Sequence, residues 1–312
     1  MTDVTPTQAA LPAGIVTPLV TFVESSGFCD PKATSALIAQ QLQGGVDGVL
    51  ALGSTGEVGN FDAAQRSSVL RAVVAEVGGR VPVWCGVAGL GTADAIAAAV
   101  AAQDDGADAL LVLQPLLFDS SPAELTTHFT AVADAVDLPV IAYDVPSRTP
   151  GKLPVPVIAD LASSGVISGV KDSSGDLTAG RLLCETTKGV EGFRTYIGGE
   201  IMIDVALGLG FDGAVPGLAN VLPAIAVDLH RAWTEGDTAT AVRLQRRYID
   251  LLRILDVPLA GAGAAAHAIA AIKTATANVV GLPTPRSTTP LVQPDDAFAA
   301  AVATVVTAVR EG

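Results

Sequence analysis

Hydrophobic residues in this chain fall into two kinds of run. Short runs rich in Val, Ile and Leu occur at 14–22, 47–53, 81–87, 107–115, 139–146, 166–172, 193–199 and 212–217. They are continuous rather than alternating, as expected for parallel strands covered on both faces. Between them lie longer Ala-rich segments at 31–43, 62–77, 92–105, 122–136, 154–163, 176–188 and 200–209. Several open on Asp, Thr, Ser-Pro or Pro, the residues that start helices. Strands followed by helices at about 30 residues per unit predict an α/β fold, a closed (β/α)8 TIM barrel. The alternative is an open doubly wound sheet. It would place a glycine-rich phosphate signature after the first strand, and "LVTFVESSG" does not supply one.

Past the last strand the pattern stays helical, at 220–235, 237–255, 263–280 and 295–310. The segment 263–280 is almost entirely small or apolar and is expected to be buried. The chain thus divides into a barrel over 1–224, carrying the site, and a C-terminal helical region over 225–312. The Pro-rich stretch 281–294 reads as an ordered extended connection between two helices.

Composition narrows the function classes. Half of the 312 residues are hydrophobic and the formal net charge is −14. A nucleic-acid partner would require a basic face, and an anionic membrane surface would require basic clusters. The acidic surplus reads as solubility. Cys29, Cys85 and Cys184 are far apart and lack zinc-site spacing, so they read as thiols of a reducing compartment. The opening "MTDVTPTQAALPAG" lacks the basic start and apolar centre of a signal peptide. No apolar run reaches the ~18 residues of a membrane span. A cytoplasmic protein is expected.

Candidate chemistry lies at the predicted strand ends, where barrels of this kind carry their sites. The chain has five lysines. Lys32, Lys152, Lys188 and Lys273 read as surface residues. Lys171 instead closes the run "VISGVKDSSGD". An amine at the mouth of an apolar barrel loses solvation, which favours its neutral, nucleophilic form. A neutral amine attacks a ketone to give a Schiff base. The competing reading pairs Lys171 with an acid, Asp172 or Glu200. Tyr143, ending the preceding strand, could carry protons, or could be a core tyrosine with a satisfied hydroxyl. "GSTGE", 53–57, offers the Ser54 and Thr55 hydroxyls and backbone N–H groups such as that of Gly56 to a small carboxylate. A tight turn with a helix cap would use the same residues. Arg148 could grip a second carboxylate or be a surface arginine. His128, His230 and His267 are far apart in predicted helices, so no metal cluster is expected.

"GSTGE", "YDVPSRT" and "GVKDSSGD", together with "GIVTPLV", "ALGLGFDGAVPGLANVLP" and "AIKTATANVVGLP", resemble the dihydrodipicolinate synthase and N-acetylneuraminate lyase family over nearly the whole chain. The resemblance implies a (β/α)8 barrel with a C-terminal helical region that handles pyruvate as a lysine Schiff base, usually as a tetramer. No metal or other cofactor is implied. Lys171 falls on the Schiff-base lysine and Tyr143 on the proton-relay tyrosine. Ser54 and Thr55 fall on the carboxylate-binding hydroxyls, one of them also in the relay. Arg148 falls on the arginine that binds the second substrate in the synthases. Glu200 is a further candidate for substrate contact.

Two departures matter. Leu116 and Leu117 stand where synthases carry a Tyr-Tyr pair, one of which completes the partner subunit's relay. "YIGGE" stands where synthases have Gly-Asp-Asp. The expected function is a pyruvate-dependent lyase or aldolase for a 2-oxo acid, such as a 2-keto-3-deoxy sugar acid or an N-acetylneuraminate-like compound. The alternatives are the synthase, condensing pyruvate with aspartate semialdehyde, and a catalytically silent ligand-binding relative. A metal-dependent aldolase ranks last. A homo-oligomer, tetramer or dimer, is expected.

Overall fold

Eight parallel strands pair in sequence order in the computed structural model, which describes residues 11–311. They are β1 (Val16–Pro18), β2 (Gly48–Ala51), β3 (Val83–Val87), β4 (Ala109–Leu113), β5 (Val140–Asp144), β6 (Gly169–Asp172), β7 (Arg194–Ile197) and β8 (Gly213–Ala214). The ring closes where Ile15 bridges Ala214 in parallel and the Ala214 N–H donates to the Gly14 carbonyl at 2.9 Å. This order and closure make a barrel and rule out the open doubly wound sheet.

The strands are shorter than the apolar runs that predicted them, because their flanks leave the ladder for side-chain partners. At the start of the barrel the Ile15 N–H donates to Asp47 Oδ2 at 2.7 Å. Beyond β1, the Val20 N–H donates to Asn220 Oδ1 at 2.9 Å, while Asn220 Nδ2 donates to the Pro18 and Gly217 carbonyls at 2.8 Å each. Asn220, expected to open a helix, is instead a fully buried brace in a 3-10 turn, Gly217–Asn220.

Helices cover the outside: α1 (Pro31–Gln43), α2 (Ala63–Val77), α3 (Thr92–Asp104), α4 (Pro122–Ala133), α5 (Val155–Ser163), α6 (Leu177–Thr187), α7 (Ile203–Leu209) and α8 (Pro223–Thr234). Asp62 and Ser121 start α2 and α4 with reciprocal capping boxes. Then come α9 (Thr238–Leu251), α10 (Ala264–Val279) and α11 (Asp296–Glu311). Two predicted helices begin or end as 3-10 turns, at Glu200–Met202 before α7 and Leu252–Asp256 after α9. The burial expected of 263–280 holds only in the middle of α10, where every residue from Ile269 to Ala277 is buried, while Gly263, Ala264, Ala265 and Asn278 are exposed.

The described residues form two apolar clusters. The larger lies between sheet and helices. The smaller fills the barrel with Val16, Leu50, Trp84, Ile141, Tyr196 and their neighbours. Trp84 and Tyr196 meet edge to face at 5.1 Å, and the Tyr196 hydroxyl donates to the Pro12 carbonyl at 2.6 Å. That filling leaves polar side chains for the other end of the barrel, where the strands finish. No described helix is long and apolar enough to cross a membrane. The expectation about a signal peptide rests on the chain's first residues, and 1–10 lie outside the described residues.

Candidate active site

The register of β5 and β6 sets Tyr143 opposite Lys171 and Asp144 opposite Asp172. Alternation along each strand then sends the first pair into the barrel and the second toward the helices. Inside, Lys171 Nζ stands 4.4 Å from the centroid of the Tyr143 ring, and each residue is only 6% exposed. Glycine at 198 leaves room chiefly for the Ser173 hydroxyl beside the lysine stem. A Cβ on Gly198 would lie 3.2 Å from Lys171 Cε and 1.9 Å from Ser173 Oγ.

Both acids proposed as partners of Lys171 are engaged elsewhere. Asp172 accepts the Ser174 N–H at 2.7 Å and lies 3.6 Å from Lys152 Nζ. Glu200 accepts the Leu218 N–H at 2.8 Å. Among the described residues no carboxylate oxygen lies within 4.0 Å of the Lys171 amine.

Burial pushes the Tyr143 phenol up, but the Lys171 amine, a hydrogen bond with Ser173, the Arg148 charge and a hydrogen bond with Ser54 together bring it below its ordinary value. Ser173 was not foreseen. It lies two residues past Lys171, and the Ser173 N–H continues the ladder by donating to the Asp144 carbonyl at 2.8 Å. Strand alternation therefore carries it to the same inner face, a signal the sequence did contain.

The loop after β2 brings Ser54 and Thr55, both half-buried, to the same end of the barrel. It is flanked by Leu52 (φ 56°) and Glu57 (φ 62°), the two non-glycine residues with positive φ among those described. Each such conformation costs about 1–3 kcal/mol and persists only where its surroundings impose it. A Cβ on Gly86 would sit 2.1 Å from the Leu52 carbonyl oxygen, so glycine there lets the loop bend close to β3. Gly56 is buried, and its carbonyl accepts from Thr21 Oγ1 at 2.9 Å. Glu57, fully buried, accepts from Lys273 Nζ at 2.7 Å, from the Thr288 N–H at 3.0 Å and from Thr288 Oγ1 at 2.6 Å.

Two of the lysines expected at the surface are therefore corrected. Lys273 is 1% exposed, because an acid 216 residues away in sequence meets it. Lys152 is partly buried, its amine 2.5 Å from Asp144 Oδ2 and 2.8 Å from Ser174 Oγ. Lys32 and Lys188 are exposed, as expected.

Glu200 stands across from Thr55. A Cβ on Gly217 would lie 3.0 Å from Glu200 Oε1 and 3.8 Å from Thr55 Oγ1. Burial pushes this carboxyl up to about 7, against hydrogen bonds from Leu218 and Gly217 and the charge of Lys171. Arg148 is exposed at the rim, and its charge reaches Tyr143. Its loop is pinned where Gln114 Nε2 donates to Thr149 Oγ1 at 3.1 Å and to the Gly151 carbonyl at 2.5 Å.

The remaining candidates lie apart. Leu116 lines a cavity of about 480 Å³ with Leu52, Arg66, Cys85 and Asp94, outside the barrel, and Leu117 is 60% exposed. His128, His230 and His267 each meet a backbone carbonyl, of Leu113, Asp212 and Val257 respectively. Among the described residues no three His, Cys, Asp or Glu side chains gather to hold a metal ion.

The model of the dihydrodipicolinate synthetase family matches residues 11–309. A putative 2-dehydro-3-deoxy-D-gluconate aldolase, YagE, of Escherichia coli K12 is 34% identical over 255 residues, 80% of this chain and 84% of that protein. A 4-hydroxy-tetrahydrodipicolinate synthase of Corynebacterium aurimucosum is 36% identical over 234 residues, 75% of this chain and 76% of the relative. The crystal structure of YagE in complex with pyruvate superposes with a TM-score of 0.88 at 30% identity, covering 96% of this chain and 99% of that one.

Proposed function

Because the chain belongs to the dihydrodipicolinate synthetase family, a family of lyases, we propose that it makes and breaks a carbon–carbon bond of a 2-oxo acid through a Schiff base on Lys171. The observation that carries this is the buried Lys171 amine, without a carboxylate partner, 4.4 Å from the ring of Tyr143.

In the cleavage direction the neutral Lys171 amine adds to the C2 ketone. Tyr143 passes protons between nitrogen and oxygen, water leaves, and an iminium results. Tyr143, having given its proton to the departing water, is left as a phenolate, and this phenolate takes the proton of the C4 hydroxyl. The C3–C4 bond breaks, its electron pair moves into the iminium as an enamine, and an aldehyde departs. Protonation at C3 and addition of water release pyruvate and the free amine. The iminium is the electron sink, so this reading calls for no metal or nicotinamide cofactor. Ser54, Thr55 and the Gly56 turn hold the carboxylate, and Ser54 and Ser173 align the phenol. Glu200, whose Oε1 lies across Gly217 from Thr55, is the carboxyl read as accepting from a substrate hydroxyl.

The substrate class this supports is a 2-keto-3-deoxy sugar acid. YagE carries that kind of name, and so does a probable 2-dehydro-3-deoxy-D-pentonate aldolase of E. coli K12, 33% identical over 241 residues, 77% of this chain and 80% of that protein. A hydroxyl-seeking carboxyl such as Glu200 suits it. Arg148 at the rim keeps a second reading, condensation of pyruvate with aspartate semialdehyde, as the synthase relatives are named. We read the enzyme as a cytoplasmic homo-oligomer, tetramer or dimer, in keeping with its three buried free cysteines.

The test is borohydride reduction in the presence of pyruvate, followed by peptide mass spectrometry, with turnover of sugar acids and of semialdehyde measured side by side. One adduct per chain on the Lys171 peptide, and cleavage of a 2-keto-3-deoxy acid, are expected. No adduct, or one that persists in Lys171→Ala, overturns the Schiff base. Efficient condensation without any cleavage restores the synthase.

A further inference from the structure

The loop assigned to the carboxylate, Gly53–Gly56, is held from outside the barrel. Its flanks, Leu52 and Glu57, both lie in the left-handed region that side-chain-bearing residues avoid. Local sequence does not favour that shape, so something distant must impose it. The distant element is the C-terminal helical region. Lys273 on α10 reaches Glu57 Oε1 at 2.7 Å, and both side chains are sealed from water, at 1% and 0% exposure. The connection between α10 and α11 supplies Thr288, whose N–H and hydroxyl both donate to Glu57 Oε2, at 3.0 and 2.6 Å. The same Thr288 hydroxyl accepts from Asn60 Nδ2 at 2.8 Å, three residues farther along the loop. Glu57 thus has three donors on its two oxygens, all from residues more than 200 positions away.

A buried ion pair is a poor source of net stability, since desolvation offsets its attraction. Its value lies in direction. A paired, desolvated carboxylate has one low-energy place to be, and here that place fixes the residue next to the carboxylate-binding turn. We propose that Glu57 and Lys273, with Thr288, are positioning residues for the substrate carboxylate, so that the C-terminal region completes the site in the barrel. The inference rests on the Schiff-base reading above and adds to it a specificity device. It predicts that loosening the pair damages recognition of the carboxylate and leaves the amine chemistry of Lys171 intact.

The experiment compares borohydride trapping of pyruvate with trapping of methyl pyruvate, which has the ketone but no carboxylate. The variant is the double substitution Glu57→Gln with Lys273→Met. It removes both charges, keeps side-chain volume, and leaves an oxygen for the Thr288 N–H. Half-saturation by pyruvate should rise about 10-fold or more, on the scale of a charge-assisted contact misplaced, while methyl pyruvate trapping stays within about twofold of the wild type. Unchanged selectivity for pyruvate overturns the proposal. An equal loss for both ketones also overturns it and makes the pair a general structural support. If the double variant does not fold, Thr288→Val is judged by the same two criteria, with a smaller shift in the same direction expected. No adduct in the wild-type protein removes the Schiff-base reading and this inference with it. A wild-type adduct with unshifted variants removes this inference alone.

Discussion

Lys171 and Lys273 are both almost fully buried, yet their surroundings are opposite. Lys273, 1% exposed, is bonded to Glu57 at 2.7 Å. Lys171, 6% exposed, has an aromatic face at 4.4 Å and no carboxylate within 4.0 Å among the described residues. Burial pulls the Lys273 amine below its ordinary value, and Glu57 pulls it back up. Exposure alone therefore does not separate the lysine proposed to react from the structural one. The partner does. An amine tied to a carboxylate has its lone pair blocked by a shared proton and its position spoken for. An amine against a phenol, with no carboxylate holding it, keeps its position open to a substrate and has a proton carrier beside it.

The comparison breaks most sharply at Lys171. Lys171→Ala should lower turnover of the cleavable 2-oxo acid by more than about 10⁴-fold, on the scale of removing a covalent nucleophile, with folding intact by circular dichroism. Residual turnover within tenfold of the wild type would put the chemistry on another group.

Next comes stability. Lys273→Met leaves Glu57 buried and unpaired, and breaking a buried pair in that way costs about 3–5 kcal/mol. Lys171→Met removes a buried amine that has no carboxylate partner among the described residues and should leave stability unchanged or raised. Thermal or urea unfolding should therefore show a loss of stability for Lys273→Met and none for Lys171→Met. Equal destabilisation would erase the distinction drawn between the two lysines. Adding Glu57→Gln to Lys273→Met should recover much of the loss, because the uncompensated charge is then gone.

Tyr143→Phe should slow turnover by about 10²–10⁴-fold, the range for losing a positioned proton carrier. The ring that Lys171 rests against is kept, so the pyruvate adduct should still form, only more slowly. Wild-type turnover in this variant would assign proton transfer to Ser54, Ser173 or water.

The barrel and the strand-end placement of Lys171 and Tyr143 were legible because they rest on local signals. Continuous apolar runs, capping residues and one lysine at a strand end need no knowledge of distant contacts. The roles of Lys273 and Asn220 were not legible, because each depends on a partner some 200 residues away. A lone lysine in the small, apolar segment 263–280 looked like a solvent-facing residue until Glu57 arrived beside it. Lys152 was hidden similarly, since Asp144 and Asp172 face it only once β5 and β6 are in register. Ser173 is the exception. Strand alternation alone carries it to the inner face that Lys171 occupies.

Glu200 gives the smallest effect and a test of how far burial governs the acids as it does the lysines. Its carboxyl is pushed from the ordinary 4.5 up to about 7, mainly by burial. Between those two pH values the folded protein holds a proton on Glu200 that the unfolded chain has released. Where the folded state binds more protons, stability falls as pH rises. Glu200 should therefore lower stability progressively from about pH 4.5 to about pH 7, with no further change above. At 1.36 kcal/mol per pKa unit, reduced for screening by water at the open end of the barrel, the effect is on the order of 1–2 kcal/mol. Glu200→Gln cannot titrate and should lack this slope, so the difference in unfolding free energy between wild type and variant should change across that window by about that amount. Parallel pH profiles would mean that the carboxyl ionises as in water, and that the hydrogen bonds from Leu218 and Gly217 hold it charged. Activity gives a second reading of the same group. If Glu200 accepts from a substrate hydroxyl, its ionised form binds better, so kcat/KM for the sugar acid should rise through pH 7 in the wild type and flatten in Glu200→Gln.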